Sequence, residues 1–314
     1  MKKWFAGILV VFILTIICIY LFIPSKIVLS KITITHSTIS AASRILSSEE
    51  NWDKWWRNSD GLRHTKNTPF TFSEAEFKLD HRSANVAGIR ILSGKLMLNS
   101  ILSLISFATD STGAVWQCEL PAGNSPLSRL ANYKKALEIK NDMTLILDNF
   151  NAFISDPKNV YGVSIFRGST KDTFLLSAKY RNPVYPSTAE IYRYLIPLRK
   201  SIASQHAEIT GYPMVNVSRQ DDNSYEVQVA IPTNRLLQGK DSLFVRRMVP
   251  GNFMVCEVQG GEYTIREELK QLEYYINDYG KTVMAIAFQS LVTDRMNEPD
   301  TSKWVTLLYV PVRR

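Results

Sequence analysis

The sequence predicts an α+β protein: an N-terminal apolar helix, then two domains built mainly from antiparallel strands. Three observations carry this. An uncharged run fills residues 4–25. Period-two hydrophobic alternation recurs through the rest of the chain, the mark of strands with one covered face. A strand–helix–strand–strand order appears twice in the C-terminal half. At 314 residues the chain is long enough for two domains. Its 45% hydrophobic and 21% charged residues are ordinary for globular protein.

The first element is the run WFAGILVVFILTIICIYLFI, broken only by Thr15. Crossing about 30 Å of hydrocarbon takes about 20 apolar helical residues. The run is too long for a signal-peptide core, and Phe22-Ile23-Pro24-Ser25-Lys26 offers no small-residue cleavage site. The expectation is an uncleaved transmembrane anchor over 1–26. Lys2 and Lys3 then place the N-terminus in the cytoplasm, with the body periplasmic or extracellular. The net charge of +8 suits attraction to anionic headgroups of a membrane bilayer, so a bilayer is an expected partner. No basic stripe and no helix-turn-helix pattern is present, so no nucleic-acid partner is expected.

The second region, 27–158, opens on an alternating strand, Ile27–Thr35, and a short helix, Ser37–Leu46. Trp52, Trp55 and Trp56 follow, either a core plug or the rim of a cavity. Strands are expected at Thr71–Leu79, Val86–Leu92, Lys95–Ile105 and Ala114–Leu120, with turns at Gly61-Leu62 and Ser93-Gly94. Ser125-Pro126 starts a long helix to Ile154. Its expected buried stripe is Leu130, Tyr133, Leu137, Met143, Leu147, Phe150 and Ile154, and Asp156-Pro157 ends it. This order, with the Asn51-Trp52-Asp53-Lys54-Trp55 cluster, resembles the SRPBCC (START-like, polyketide-cyclase-like) superfamily. The resemblance implies a helix-grip fold, a curved sheet wrapping a long helix around a hydrophobic cavity.

The third region, 160–314, carries the repeat. Its first unit has a strand at Thr173–Tyr180, a capping box at Ser187-Thr188-Ala189-Glu190, and a helix with Ile191, Leu195, Leu198 and Ile202 on one face. Strands follow at Pro213–Val217 and Tyr225–Ile231. The second unit has a strand at Phe253–Gln259, a capping box at Thr264-Ile265-Arg266-Glu267, and a helix stopped by Gly280. Strands follow at Val283–Val292 and Lys303–Val310. Neither unit closes a core alone, so the two should pair about a pseudo-two-fold axis with a groove between them.

Gly260-Gly261-Glu262-Tyr263, the helix after them, and the closing Leu308-Tyr309-Val310-Pro311-Val312 resemble the GyrI-like family of bacterial effector-binding domains. Val229-Ala230-Ile231-Pro232 echoes that ending in the first unit. The resemblance implies a small, hydrophobic molecule as partner, held between aromatic walls. Candidate wall residues are Phe253, Tyr263, Phe288, Trp304 and Tyr309, with Tyr263 and Trp304 preferred. Glu257 is the candidate acid and Glu262 a solvated alternative. The family often carries a Glu four residues before the final Pro. Leu307 stands there, and Gln228 stands at the matching place in the first unit, with Glu226 two residues earlier. The departure favours a neutral or weakly polar ligand over a cation.

No catalytic set appears. His36, His64, His81 and His206 are scattered, with no HExxH, nucleophile elbow, phosphate loop or dinucleotide fingerprint. Cys118 and Cys256 sit in alternating runs and read as buried free thiols. No metal site or cofactor is expected. The function expected is a membrane-anchored, non-catalytic sensor or sequestering module for a small hydrophobic molecule. The alternatives are a lipid carrier using the helix-grip cavity, and a GyrI-like hydrolase. A protein partner that takes up the signal is not identified by the sequence.

Overall fold

The computed structural model describes residues 2–47, 49–61, 68–170, 174–240, 242–248 and 251–313. Leu62 of the expected Gly61-Leu62 turn, and His64, lie outside them. The chain divides into two compact units, Met1–Asp156 and Pro157–Arg314. Both are α+β, each with a large antiparallel sheet.

Helix α1 spans Lys2–Phe22. Among the described residues no helix is long and apolar enough to cross a membrane. The expected transmembrane anchor is corrected on that finding, and with it the membrane location. Polar groups engage the last turn. The Tyr20 hydroxyl donates to the Asn124 carbonyl at 2.6 Å, and the Arg129 guanidinium sits 4.3 Å from the Tyr20 ring centroid. Arg129 Nη1 also donates to the Ile23 carbonyl at 2.7 Å.

The first unit continues with β1 (Lys26–Thr35), α2 (Ile39–Leu46), α3 (Glu49–Trp55), β2 (Phe70–Phe72), β3 (Ala75–Ser83), β4 (Val86–Ser93), β5 (Leu96–Ala108), β6 (Ser111–Pro121) and α4 (Pro126–Ile154). The six strands form one antiparallel sheet in the order β1-β6-β5-β4-β3-β2. The single strand expected at Thr71–Leu79 is a hairpin instead. Phe72 pairs with Ala75, and Ser73 takes a φ of 49°, so the chain reverses at Ser73-Glu74. Thr38 caps α2 by accepting from the Ala41 amide, and Ser125 caps α4 by accepting from the Ser128 amide.

Helix α4 packs on β1 and β6. Its buried positions are Ala136, Ile139, Met143, Ile146, Leu147, Phe150 and Ile154, together with Asp142. Leu130, Tyr133 and Leu137, expected in the stripe, are exposed. The reason is helical phase. Stepping back from Met143 by four and then three residues reaches Ile139 and Ala136, so Leu137 falls on another face.

Aromatic side chains fill this unit's interior. Trp52, Trp55, Trp56, Phe77, Trp116 and Phe150 are all buried. Trp52 and Trp56 stack with centroids 5.6 Å apart, and Trp55 meets Phe150 edge-on at 5.0 Å. Three indole nitrogens donate inward: Trp52 to the Leu46 carbonyl, Trp56 to the Thr71 carbonyl and Trp116 to Ser100 Oγ. Such donors let a large ring be buried without an orphaned N–H.

The second unit runs α5 (Pro157–Tyr161), β7 (Ile165–Ser169), β8 (Phe174–Asn182), α6 (Thr188–Ser204), β9 (Met214–Arg219), β10 (Tyr225–Thr233), β11 (Leu243–Arg247), β12 (Asn252–Gln259), α7 (Glu262–Asp278), β13 (Phe288–Leu291) and β14 (Val305–Val312). Its eight strands order as β11-β8-β10-β9-β13-β14-β12-β7. The sequence β11-β8-β10-β9 read inward matches β7-β12-β14-β13 read inward. A pseudo-two-fold axis therefore passes between β9 and β13. The edge strands β7 and β11 were not expected from the sequence.

Helix α6 has the expected capping box, with Ser187 accepting from the Glu190 amide and Glu190 accepting from the Ser187 amide. The box expected at Thr264 is absent. Helix α7 starts three residues earlier, behind Gly261, which makes no side-chain cap bond. Gly260 turns the chain there with a φ of 147°, and Glu262 places its charge in the first turn, where the helix dipole favours an anion. Gly280, at a φ of 58°, follows the C-cap as expected. The strand expected at Val283–Val292 shrinks to Phe288–Leu291. Val283 makes only an isolated bridge to Val312, and Met284 donates its amide to the Pro311 carbonyl.

Candidate functional site

Strand alternation divides the second unit's sheet into two faces. On one, Leu176, Ala178, Val215, Val227, Val229 and Ile231 pack against Ile191, Leu195, Leu198 and Ile202 of α6 in a closed core. The intervening residues point the other way. Register pairs Ser177 with Ala230, and Met214 with Ala230 across the next strand. Asn216 is likewise opposite Gln228. These residues open onto a cavity of about 530 Å³.

The cavity draws walls from both repeats. Leu175, Ser177, Met214, Asn216, Gln228 and Ala230 come from the first, and Phe253, Met284, Ile286, Phe288, Pro311 and Val312 from the second. Arg246 and Arg247, from β11, stand at its edge. A smaller cavity of about 210 Å³ adjoins Tyr192, Tyr212 and Asp294. The larger one is mostly apolar with a few polar groups, which is the general form of a small-molecule site.

Three of the expected wall residues meet. Phe288 stacks on Tyr309 with centroids 4.9 Å apart and planes 5° apart. Phe253 meets Phe288 edge-on at 5.9 Å and Tyr309 at 5.8 Å. Phe253 and Phe288 line the cavity, and Tyr309 backs Phe288 across the β13–β14 pair.

The two preferred residues are elsewhere. Tyr263 is 72% exposed on the first turn of α7 and does not line the cavity. Trp304 is buried with its Nε1 donating to the Glu298 carbonyl at 2.8 Å. The buried guanidinium of Arg295 lies 4.8 Å from the Trp304 ring centroid, and its Nη2 donates to Thr306 Oγ1. Burial pushes the Arg295 pKa down. The indole face offsets part of that desolvation, so Trp304 supports a buried cation. Glu257 is exposed on β12, opposite Leu307, and is not a lining residue. Glu262 accepts a long hydrogen bond from Thr188 Oγ1 at 3.4 Å.

The polar groups around the cavity are fixed. Asn216 Nδ2 donates to the Ala287 carbonyl at 2.7 Å. Gln228 Nε2 donates to Glu226 Oε1 at 3.2 Å. Lys179 lies 2.7 Å from Glu226, and its hydrogen bond holds the Glu226 carboxyl below its usual range. Glu226 therefore stays ionised and already paired. Cys118 and Cys256 are buried and free, and burial pushes their thiols up to about 11 and about 12, away from nucleophilic chemistry.

Gln228, which stands at the family's Glu position in the first repeat, lines the cavity but is not among the residues the sequence singles out as candidates. Sequence reasoning also missed Asn216, Met214, Ile286 and Arg246. The alternation of β8 and β10 around the Val227–Val229–Ile231 stripe was the available signal for the outward residues. The exposed apolar pair Met284 and Ile286 was a second.

No family model and no curated protein matches the chain. Solved structures do. The chain is similar to the EcmrR C-terminal domain, at 11% identity and a TM-score of 0.42, over 48% of this chain and 98% of that one. It is similar to a hydrolase from Listeria innocua, at 9% identity and a TM-score of 0.37, over 48% and 92%. A third is SAV2435 bound to tetraphenylphosphonium, at 14% identity and a TM-score of 0.31, over 48% and 94%. At these levels of likeness the groove's chemistry is read from its own side chains.

Proposed function

We propose that the second unit is a GyrI-like effector-binding module that takes a small, largely apolar molecule in the 530 Å³ groove. The observation that carries this is the two-faced sheet. One face is packed by α6 into a dry core, while the other carries an aromatic and aliphatic groove left open. Burying apolar ligand surface there yields roughly 25 cal/mol per Å². Asn216 and Gln228 supply orientation. Phe253, Phe288 and Tyr309 form one aromatic wall. The role is binding, as a sensor or a sequestering module, because no nucleophile–base pair stands at the groove among the described residues.

The first unit fits an SRPBCC-like reading in its element order. The carrier alternative needs an open cavity in that unit, and Trp52, Trp55, Trp56 and Phe150 occupy the interior instead.

The test uses the full chain and the neutral dye N-phenyl-1-naphthylamine. Its fluorescence should rise on binding and saturate at one site. Ala230→Trp, which fills the groove with an indole, should abolish that rise while circular dichroism stays unchanged. A dye signal equal in wild type and Ala230→Trp would rule the groove out as the site.

A further inference from the structure

We infer that the groove selects an apolar anion, a molecule with a hydrocarbon body and a carboxylate or similar head, over a cation of the same body. The inference rests on the groove being the binding site, and it adds the sign of the ligand's charge.

Register places the key residue. Arg246 pairs with Leu175 on β8, and Leu175 also pairs with Pro232 on β10. Paired residues of an antiparallel ladder share a face. Arg246 therefore lies on the same side of the sheet as Leu175, Ser177 and Ala230, the groove side. It is exposed, and it makes no ion pair or hydrogen bond among the described residues. Its neighbour Arg247 is differently placed, with its guanidinium 5.3 Å from the Phe174 ring centroid. No carboxylate is among the described lining residues. Glu226, the acid that Gln228 touches, already has its charge matched by Lys179.

An anionic head laid toward Arg246 gains a charge-assisted, bidentate partner while its tail contacts Phe253 and Phe288. A cationic head in the same place meets an unpaired guanidinium and finds no free acid. Uniform apolar burial does not distinguish the two ligands, so the discrimination comes from the head group alone.

Three ligands with one tail test this: decanoate, decan-1-ol and decyltrimethylammonium, each displacing N-phenyl-1-naphthylamine from the full chain. Decanoate should displace the dye at about one-tenth the concentration needed for decyltrimethylammonium, with the alcohol between them. Arg246→Gln should bring decanoate to the level of the alcohol. Arg246→Glu should reverse the order of anion and cation. Raised salt should shrink the decanoate advantage. If decanoate is no better than the alcohol, or Arg246→Gln leaves its advantage intact, the anion inference is wrong and the groove reading stands. If the dye fails to bind wild type, or binds Ala230→Trp equally, the groove reading fails and takes this inference with it.

Discussion

The two sheets of this protein solve the same problem differently. In the first unit, one long helix and a cluster of indoles cover the inner face of the sheet, and the rings meet each other at 5–6 Å. In the second, the two amphipathic helices α6 and α7 carry the buried stripes, and an aromatic trio on β12, β13 and β14 borders open space. Aromatic residues serve both designs. What differs is whether the facing surface is filled. A filled face gives cohesion, since close packing gains dispersion contacts at every atom. An unfilled face keeps that gain available to a visiting molecule.

The largest test of this contrast is Trp52→Ala. Removing a fully buried, stacked indole should cost the first unit about 3–5 kcal/mol. Dye binding at the groove should persist at low temperature. Denaturant unfolding followed beside dye titration reads both, and loss of binding with the first transition would erase the division of labour. Phe288→Ala should act oppositely. It should weaken dye binding about tenfold, a difference of roughly 1.4 kcal/mol, with a smaller change in melting. A large loss of stability with intact binding would make Phe288 ordinary core.

Two smaller effects sharpen the comparison. Ser187→Ala removes the hydroxyl that caps α6 and should cost about 1 kcal/mol, read by denaturant unfolding. Asp142→Asn should stabilise the first unit. Burial raises the Asp142 pKa, against an opposing hydrogen bond from Ser73. A carboxyl with a raised folded pKa binds its proton more tightly in the folded state. The penalty is therefore present above the folded pKa and fades as pH falls through the carboxylate range. The variant should melt higher than wild type at pH 7, with the gain shrinking toward pH 4. An unchanged gap would show that charge burial is not the cause.

Strands with a clean alternation were readable from residues alone. Ile27–Thr35 and Tyr225–Ile231 fall within β1 and β10, because one covered face imposes a period of two. The Ser187 capping box was equally plain, since its bonds are local. Non-local chemistry was not readable. Trp304 stands near a turn, as a groove residue would, but the Glu298 carbonyl and Arg295 hold its indole elsewhere. Arg246 lies in a short strand whose alternation is weak, and only pairing with β8 gives its side chain a face. Helix α7 begins before Thr264 because Gly260 adopts a backbone that the S/T-x-x-E pattern does not encode.

The mirrored strand order has a consequence for how the second unit comes into being. β7 precedes the first repeat in the chain, yet it pairs with β12 of the second. β11 lies between the repeats and pairs back onto β8 of the first. The first strand synthesised thus waits for a partner that leaves the ribosome only after an entire repeat has been made. Pairings that distant pay their loop-closure entropy before any contact rewards them, and they fold late. A fragment ending before Asn252 would keep β7 with no ladder to join, so the repeats, alike as they are, are not interchangeable parts that can be cut apart and folded one at a time.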